Sequence, residues 1–431
     1  MLVAVCLAAS ELVPALLKVG FAPHRSLFPM ALEEPLLASA LVGSLAFYLF
    51  MLPRRGLELG LVLVFGGLLD YWLEIHRAQI IGPAGRLLHL GLGVGLAAIV
   101  ATLIRLLRRG PDSVRAEETL SLAIALPGML VFGIFLRSLI SSENPLVFDC
   151  VTYAFDGLLG FQPSFLIART VDSWKPLRIL LYAVYFHLPL WMSLAQILVS
   201  CRPDLARNQP VLAYLVVAAL GSFLYAYLPA VGIQVLCGDV YPHGPWPPVP
   251  DPVRLVEAPL YFPRNAMPSL HLAWILTAFW ALRRFNSRVR MVGGLLVFLT
   301  ILSTFNVGDH YLIDLVIAVP FALCCHGLST FSHPGRNRLR AISILYGGTA
   351  TLAWLSVMRY TPNLALDNPP LTLASLALTV AGALFLQSRL GEASPSSRQV
   401  LQVEASPPRR HPTHDRPSRR LPLNHGLERE T

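Results

Sequence analysis

The stretch HYLIDLVIAVPFALCCHGLST, His310 to Thr330, opens with a histidine and an aspartate and then runs apolar to its end. A helix of about 20 apolar residues matches a bilayer core of about 30 Å. Eleven further stretches of this kind lie near residues 2–18, 36–53, 57–75, 88–107, 120–140, 178–200, 211–231, 268–283, 290–306, 341–358 and 370–387. Backbone polar groups inside lipid must bond to one another, so apolar runs of this length are read as helices. Of the 431 residues, 55% are hydrophobic and 14% are charged, whereas soluble domains carry about 25% charged residues. The fold class expected is all-α, a polytopic membrane protein with about twelve transmembrane helices, which excludes an ordinary soluble enzyme. The six cysteines show no CxxC or zinc-finger spacing, so neither a disulfide scaffold nor a structural metal is indicated.

Short cytoplasmic loops accumulate Lys and Arg, so the basic set of alternate loops orients the chain. Arg54, Arg55, Arg105, Arg108, Arg109, Arg115, Arg202, Arg207, Arg283, Arg284, Arg288, Arg290, Arg336, Arg338 and Arg340 fall in one set of short loops, fifteen residues against eleven over the longer opposite connections. Both termini are then cytoplasmic, and the long segments 141–177 and 232–267 face outward, in a plasma or inner membrane. The divisions read from the chain are 1–110, N-terminal transmembrane helices; 111–331, a six-helix catalytic membrane domain; 332–387, two C-terminal transmembrane helices; and 388–431, a disordered basic tail. Rich in Pro, Ser, Arg and His without apolar periodicity, the tail cannot bury enough surface to offset ordering entropy. The net charge of +9 lies largely in loops and tail and gives no reason to expect a nucleic-acid partner.

Polar residues beside apolar runs at span ends are functional candidates. One cluster is Arg264-Asn265-Ala266-Met267-Pro268-Ser269-Leu270-His271. With Pro268 at the first helical position, the N–H groups of Ser269, Leu270 and His271 would point outward, as a phosphate-binding helix end does. Arg264 adds a guanidinium suited to bidentate contact with phosphate oxygens. The other cluster is Ser303-Thr304-Phe305-Asn306-Val307-Gly308-Asp309-His310-Tyr311-Leu312-Ile313-Asp314. With the helix running from 310, His310 and Asp314 sit at i and i+4, so the carboxylate can hold one imidazole nitrogen and leave the other free to attack. The 39 residues from His271 to His310 accommodate one span, a basic turn and one span back, which returns both histidines to one membrane face.

The pair PSLH (268–271) and ST-x5-H-x3-D (303–314) resembles two signatures of the type 2 phosphatidic acid phosphatase superfamily, usually PSGH and SR-x5-H-x3-D. Leu270 and Thr304, in place of the usual Gly and Arg, resemble the branch containing inositol phosphorylceramide synthase. The resemblance covers about residues 120–330 and implies a six-helix membrane bundle that moves a phosphoryl or phosphodiester group through a phosphohistidine, with neither metal nor cofactor. It implies His310 as nucleophile, Asp314 as its orienting residue, His271 as general acid, and Ser269, with Leu270 beside it, at the phosphate. No K-x6-RP signature is present, so Arg264, then Lys175 and Arg169, are the candidates for the cationic wall. A lipid phosphate or phospholipid is the implied substrate. The acceptor is an alcohol, such as an inositol or lipid hydroxyl, in a transferase, or water in a lipid phosphate phosphatase.

Other features have plainer readings. Asp156 in AFDGLLG (154–160) either lines the acceptor pocket or belongs to a turn before a helix. Asp70, Glu74 and Arg137 near outward span ends are read as pairing with one another or reaching headgroups. Cys150 and Cys237 both fall in outward loops where a disulfide can form. The eight prolines of 242–263 stiffen that loop and keep it from becoming one helix. Twelve spans with both termini inside also suit a secondary transporter, but the first six lack the polar clusters of the later ones. The orientation makes a prediction. In Ser287→Cys and Pro245→Cys variants, a membrane-impermeant thiol reagent should label the first only from the cytoplasm and the second only from the opposite side.

Overall fold

The computed structural model describes residues 34–53, 55–77, 89–202, 209–250, 253–330 and 337–391. The span expected at 2–18 and the tail from 392 onward lie outside them. The described residues are helical apart from short connections and a two-residue antiparallel pair. In chain order the elements are α1 (Pro35–Met51), α2 (Gly56–Arg77), α3 (Leu92–Leu107), α4 (Ser113–Glu143), β1 (Leu146–Val147), α5 (Asp149–Gly157), α6 (Pro163–Asp172), α7 (Lys175–Phe186), α8 (Leu188–Ser200), α9 (Pro210–Tyr227), α10 (Ile233–Cys237), β2 (Val256–Glu257), α11 (Leu270–Leu282), α12 (Ser287–Val307), α13 (Leu312–Ser329), α14 (Asn337–Tyr360), α15 (Pro362–Leu366) and α16 (Pro369–Gly391).

Every expected span within the described residues coincides with a helix or a bent pair of helices. By length and composition, however, seven of these helices can cross a membrane, and α7 with α8 makes an eighth if the pair is one span. Helices α1, α3 and α11 are shorter apolar helices. These apolar helices make the chain a multi-pass membrane protein. The bend between α7 and α8 is 62°. Pro189, at the second position of α8, has no N–H to give the Tyr185 carbonyl one turn earlier, and the helical ladder breaks there. Segment 144–172 folds as β1 and the short helices α5 and α6. The described residues of the proline-rich loop form no long helix; β2 pairs Val256 and Glu257 with Val147 and Leu146.

Helix α11 is apolar all round, and twelve of its thirteen residues are buried, so it can only be central. It packs on α8, α9, α12 and α13, while α1 and α4 close one side and α14 and α16 cover α13. The boundaries expected at 110 and 332 are not gaps, because α1 packs on α4 and α8 and α13 packs closely on α14. The described residues form one compact unit.

The crossing of α9 and α11 depends on one small residue. A Cβ at Gly221 would stand 2.3 Å from Cδ2 of Leu270, so the leucine of PSLH occupies space that a missing side chain on α9 leaves to it. Small residues that let membrane helices approach closely are a general device of bundle packing. Gly221→Ala should therefore destabilise the protein in detergent by about 1–3 kcal/mol through overpacking. Adding Leu270→Ala should recover part of the lost thermal stability; simple addition of the two losses would show that the side chains do not compete for this space.

Candidate active site

The site forms where the N-termini of α11 and α13 meet. Helix α12 ends on Gly308, whose φ of 80° is left-handed; a Cβ there would meet Gln234 and Tyr241 at 2.8 Å, so glycine suits both conformation and space. The chain then passes through Asp309 and His310 before α13 begins at Leu312. Its start is fixed by buried acceptors. The Tyr311 N–H donates to Oδ2 of Asp314 at 2.8 Å, and the N–H groups of Leu312 and Ile313 donate to the Asp156 carboxylate at 2.8 and 3.0 Å. Asp156 thus anchors the positive end of α13. Asp156 itself lies within α5 rather than in a turn before a helix, and it does not border the cleft beside His271. Asp149 does related work, accepting from the N–H groups of Val231 and Gly232 and from the Tyr311 hydroxyl.

His310 precedes α13 rather than starting it, which changes its relation to Asp314. Its Nδ1 lies 2.8 Å from the Ala266 carbonyl and 3.5 Å from Oδ2 of Asp314. A carbonyl can only accept, so Nδ1 carries the proton and Nε2 keeps the lone pair. The direct orienting group is therefore a backbone oxygen, with the Asp314 carboxylate one step further away and already holding Tyr311. Burial lowers the pKa of His310 to about 4, against the Asp309 charge and the Ala266 bond, and leaves the ring neutral near pH 7.

His271 is the second residue of α11 and sits close by, its ring centroid 5.8 Å from that of His310 and edge-on to it. It is 7% exposed, and its Nε2 has no hydrogen-bond partner in the structure. Pro268 is not the first helical residue. Ser269 caps α11, its Oγ accepting from the Leu272 N–H at 3.4 Å and its own N–H donating to the Asp314 carbonyl at 3.2 Å. The Ser269 N–H is thus already used, and Leu270 packs against α9 instead of facing a ligand.

A cleft of about 590 Å³ opens beside His271, and Asp309, Tyr185, Asn265, Gln234, Asp239, Tyr241, Arg137 and Glu34 border it. Arg137 is the only Lys or Arg among the described residues that border it. Its guanidinium lies 3.2 Å from Glu34, and both side chains are partly exposed. The three cations expected at the phosphate are placed differently. Arg264 is fully buried and donates to the carbonyls of Asn144, Ala258, Pro259 and Phe262 at 2.6–3.1 Å. Its five-donor fork bonds four loop carbonyls, of which that of Pro259 also accepts from the Phe262 N–H and that of Phe262 from the Ser141 hydroxyl. Arg169 donates to the carbonyls of Pro242 and Gly244 at 3.1 and 2.7 Å, tying the proline-rich loop to α6. Lys175 is exposed at the first position of α7 and does not border the cleft. Thr304 bonds back to the Ile301 carbonyl at 2.8 Å.

Sequence reasoning read Arg137 as a headgroup or pairing residue, and it does pair, with Glu34, while also bordering the cleft; Tyr185 and Asp309, which border the cleft too, carry no role in the resemblance. The only available signal was an intramembrane arginine at the same span end as both histidines. Cys150 and Cys237 are free thiols, so the bond considered between them is not formed. Among the described residues, no group of three His, Cys, Asp or Glu side chains is placed to hold a metal ion.

Residues 152–328 match the family model of the PAP2 superfamily. Comparison with curated proteins gives no match, and comparison with solved structures gives none. The family match and the apolar helices together support a membrane enzyme of the phosphatase type.

The Arg264 geometry predicts a loss of stability. Each buried carbonyl left without a donor costs about 1–3 kcal/mol, so Arg264→Ala should lower the unfolding temperature in detergent sharply, and Arg264→Lys, with three donors on a flexible stem, should restore only part. Unchanged thermal stability with abolished turnover would return Arg264 to the phosphate.

Proposed function

We propose that this protein is a lipid phosphotransferase acting through a phosphohistidine on His310 at the outward membrane face, resembling enzymes that pass a phosphoinositol group to a lipid hydroxyl. The observation that carries the reading is the His310 imidazole, held through Nδ1 by the Ala266 carbonyl, with a second buried histidine, its ring centroid 5.8 Å away, that borders a large cleft and whose Nε2 is unpartnered.

The chemistry follows from that tautomer. In the first step Nε2 of His310 forms a bond to phosphorus and the P–O bond to the leaving group breaks, while a proton on Nε2 of His271 passes to the leaving oxygen. His271 takes up that proton when the phosphate's negative charge lies beside it. The phosphorylated His310 ring is cationic, and the Asp314 carboxylate at 3.5 Å from Nδ1 stabilises that charge. In the second step His271 removes the proton of the incoming hydroxyl, its oxygen bonds to phosphorus, and the N–P bond breaks. Arg137 is the cation for the equatorial phosphate oxygens, a role requiring it to exchange Glu34 for phosphate.

The cleft of about 590 Å³ exceeds what a phosphate group needs, which supports an alcohol acceptor held beside the donor. Its openness to water supports the second reading, hydrolysis as a lipid phosphate phosphatase. Incubation of purified protein with mixed lipid phosphates, with and without inositol and long-chain alcohols, followed by mass spectrometry, separates the two: an alcohol-dependent new phosphodiester marks the transferase, and release of orthophosphate alone marks the phosphatase. In either case His310→Ala should abolish both turnover and covalent labelling by a radiolabelled donor. Arg137→Ala should lower turnover by about two to three orders of magnitude, the cost of one well-placed transition-state donor. A fully active His310→Ala variant would remove the mechanism.

A further inference from the structure

Tyr185 belongs to neither polar segment singled out by the sequence, yet it touches both. Its ring lies face to face with the His271 imidazole, centroids 3.8 Å apart and planes inclined by 18°. Its hydroxyl donates to Oδ2 of Asp309 at 2.8 Å, and Asp309 immediately precedes His310. The side chain is buried, borders the cleft, and is braced in turn by Phe186, edge-on at 5.2 Å. Trp274 meets the same imidazole from another side, edge-on at 5.7 Å. Since Nε2 of His271 has no hydrogen-bond partner, no bond at that atom sets the rotation of the ring; the stacked phenol and the indole edge supply the constraint. The Tyr185 backbone lies at the break between α7 and α8, where its carbonyl faces Pro189 one turn on. The bend turns the chain just after the residue that contacts α11.

We infer that Tyr185 is a positioning residue for the histidine pair: its ring fixes the plane of His271 so that Nε2 addresses the oxygen bound to phosphorus, and its hydroxyl, through Asp309, sets how His310 stands relative to His271. The inference rests on the reading that His310 attacks phosphorus and His271 protonates the leaving oxygen. Under that reading a freely rotating His271 still permits attack by His310 but delivers the proton poorly. Displacements of about 1 Å in such sites can cost about 10²-fold in rate, and general acid catalysis contributes about 10²–10⁴-fold, concentrated on basic leaving groups.

The experiment compares a long-chain alkyl phosphate with p-nitrophenyl phosphate, both in the same detergent micelles, for the wild type, Tyr185→Leu and Tyr185→Phe. Tyr185→Leu removes the flat face and should lower kcat on the alkyl ester by about 100-fold while lowering it less than about 10-fold on the nitrophenyl ester, whose departing oxygen needs little protonation, with KM little changed. Tyr185→Phe keeps the stack and loses the bond to Asp309. It should lose activity several-fold and equally on both esters, keeping the wild-type ratio between them. Equal losses on the two esters in the Leu variant, or the Leu-type bias in the Phe variant, would overturn the inference, as would full activity in both. Should Tyr185→Leu fail to fold, as judged by thermal unfolding in detergent, Tyr185→Met fills the volume without a flat face and carries the same expectation. His310→Ala run alongside separates the two levels of argument. Activity in that variant overturns the phosphohistidine reading itself, whereas an inactive His310→Ala with an unbiased Leu variant overturns only the role given to Tyr185.

Discussion

The bond between the Ala266 carbonyl and Nδ1 of His310 joins the two polar segments, and the site's chemistry depends on it. A carbonyl acceptor admits only one tautomer, so a single backbone oxygen determines which imidazole nitrogen keeps its lone pair. That oxygen is held in turn by its own peptide context, since the Ala266 N–H donates to the Ala230 carbonyl at 3.0 Å and the Ser269 N–H to the Asp314 carbonyl at 3.2 Å. The loop before α11, the end of α9 and the start of α13 are thereby tied at one point. A side-chain partner for His310 would depend on a rotamer; a peptide oxygen in a buried, fully bonded loop has far less freedom.

Buried acidic and basic side chains are used here mainly to fold backbone. Asp149, Asp156 and Asp314 are all buried, and each accepts from main-chain N–H groups, while Arg264 donates to four main-chain carbonyls. The described residues of 144–172 and 232–267 leave α-helical ladders, and peptide groups that lose helical partners away from water must find others. Ionised side chains make the strongest such partners. Arg169 extends the arrangement to the loop 242–244, and Asp172, whose carboxyl is held below the usual range by Arg178 and His243, anchors the same region from α6. The cleft is thus bordered in part by loop residues, among them Gln234, Asp239, Tyr241, Phe262 and Asn265.

The helical frame positions these loops through close contacts at small residues and through one deliberate break. Gly221 makes room for Leu270 on α11, and the Pro189 break turns α8 away from α7 directly after Tyr185. Helix α11 delivers His271 from the centre of the bundle, which explains why nearly all of its side chains are buried although it is among the shorter apolar helices.

Hydropathy alone determined that the chain is a multi-pass helical membrane protein and where the helices lie, because a bilayer admits few solutions for a backbone of apolar residues. The spacing of PSLH and H-x3-D placed two histidines at one end of the bundle, since spans of bilayer length must return to the same face. Tertiary structure decided the rest. Whether a cation faces a ligand or a backbone carbonyl depends on which peptide groups the loops leave unpaired, and no local pattern records that. Arg264, adjacent to the motif, was consumed by its own loop, while Arg137, more than a hundred residues away in sequence, borders the cleft. The two-residue delay in the start of α13, set by Asp156 from α5, moved His310 from Asp314 to the Ala266 carbonyl. Tyr185 was invisible for the same reason: stacking on His271 and bonding to Asp309 bring together three segments whose proximity only the packed bundle creates.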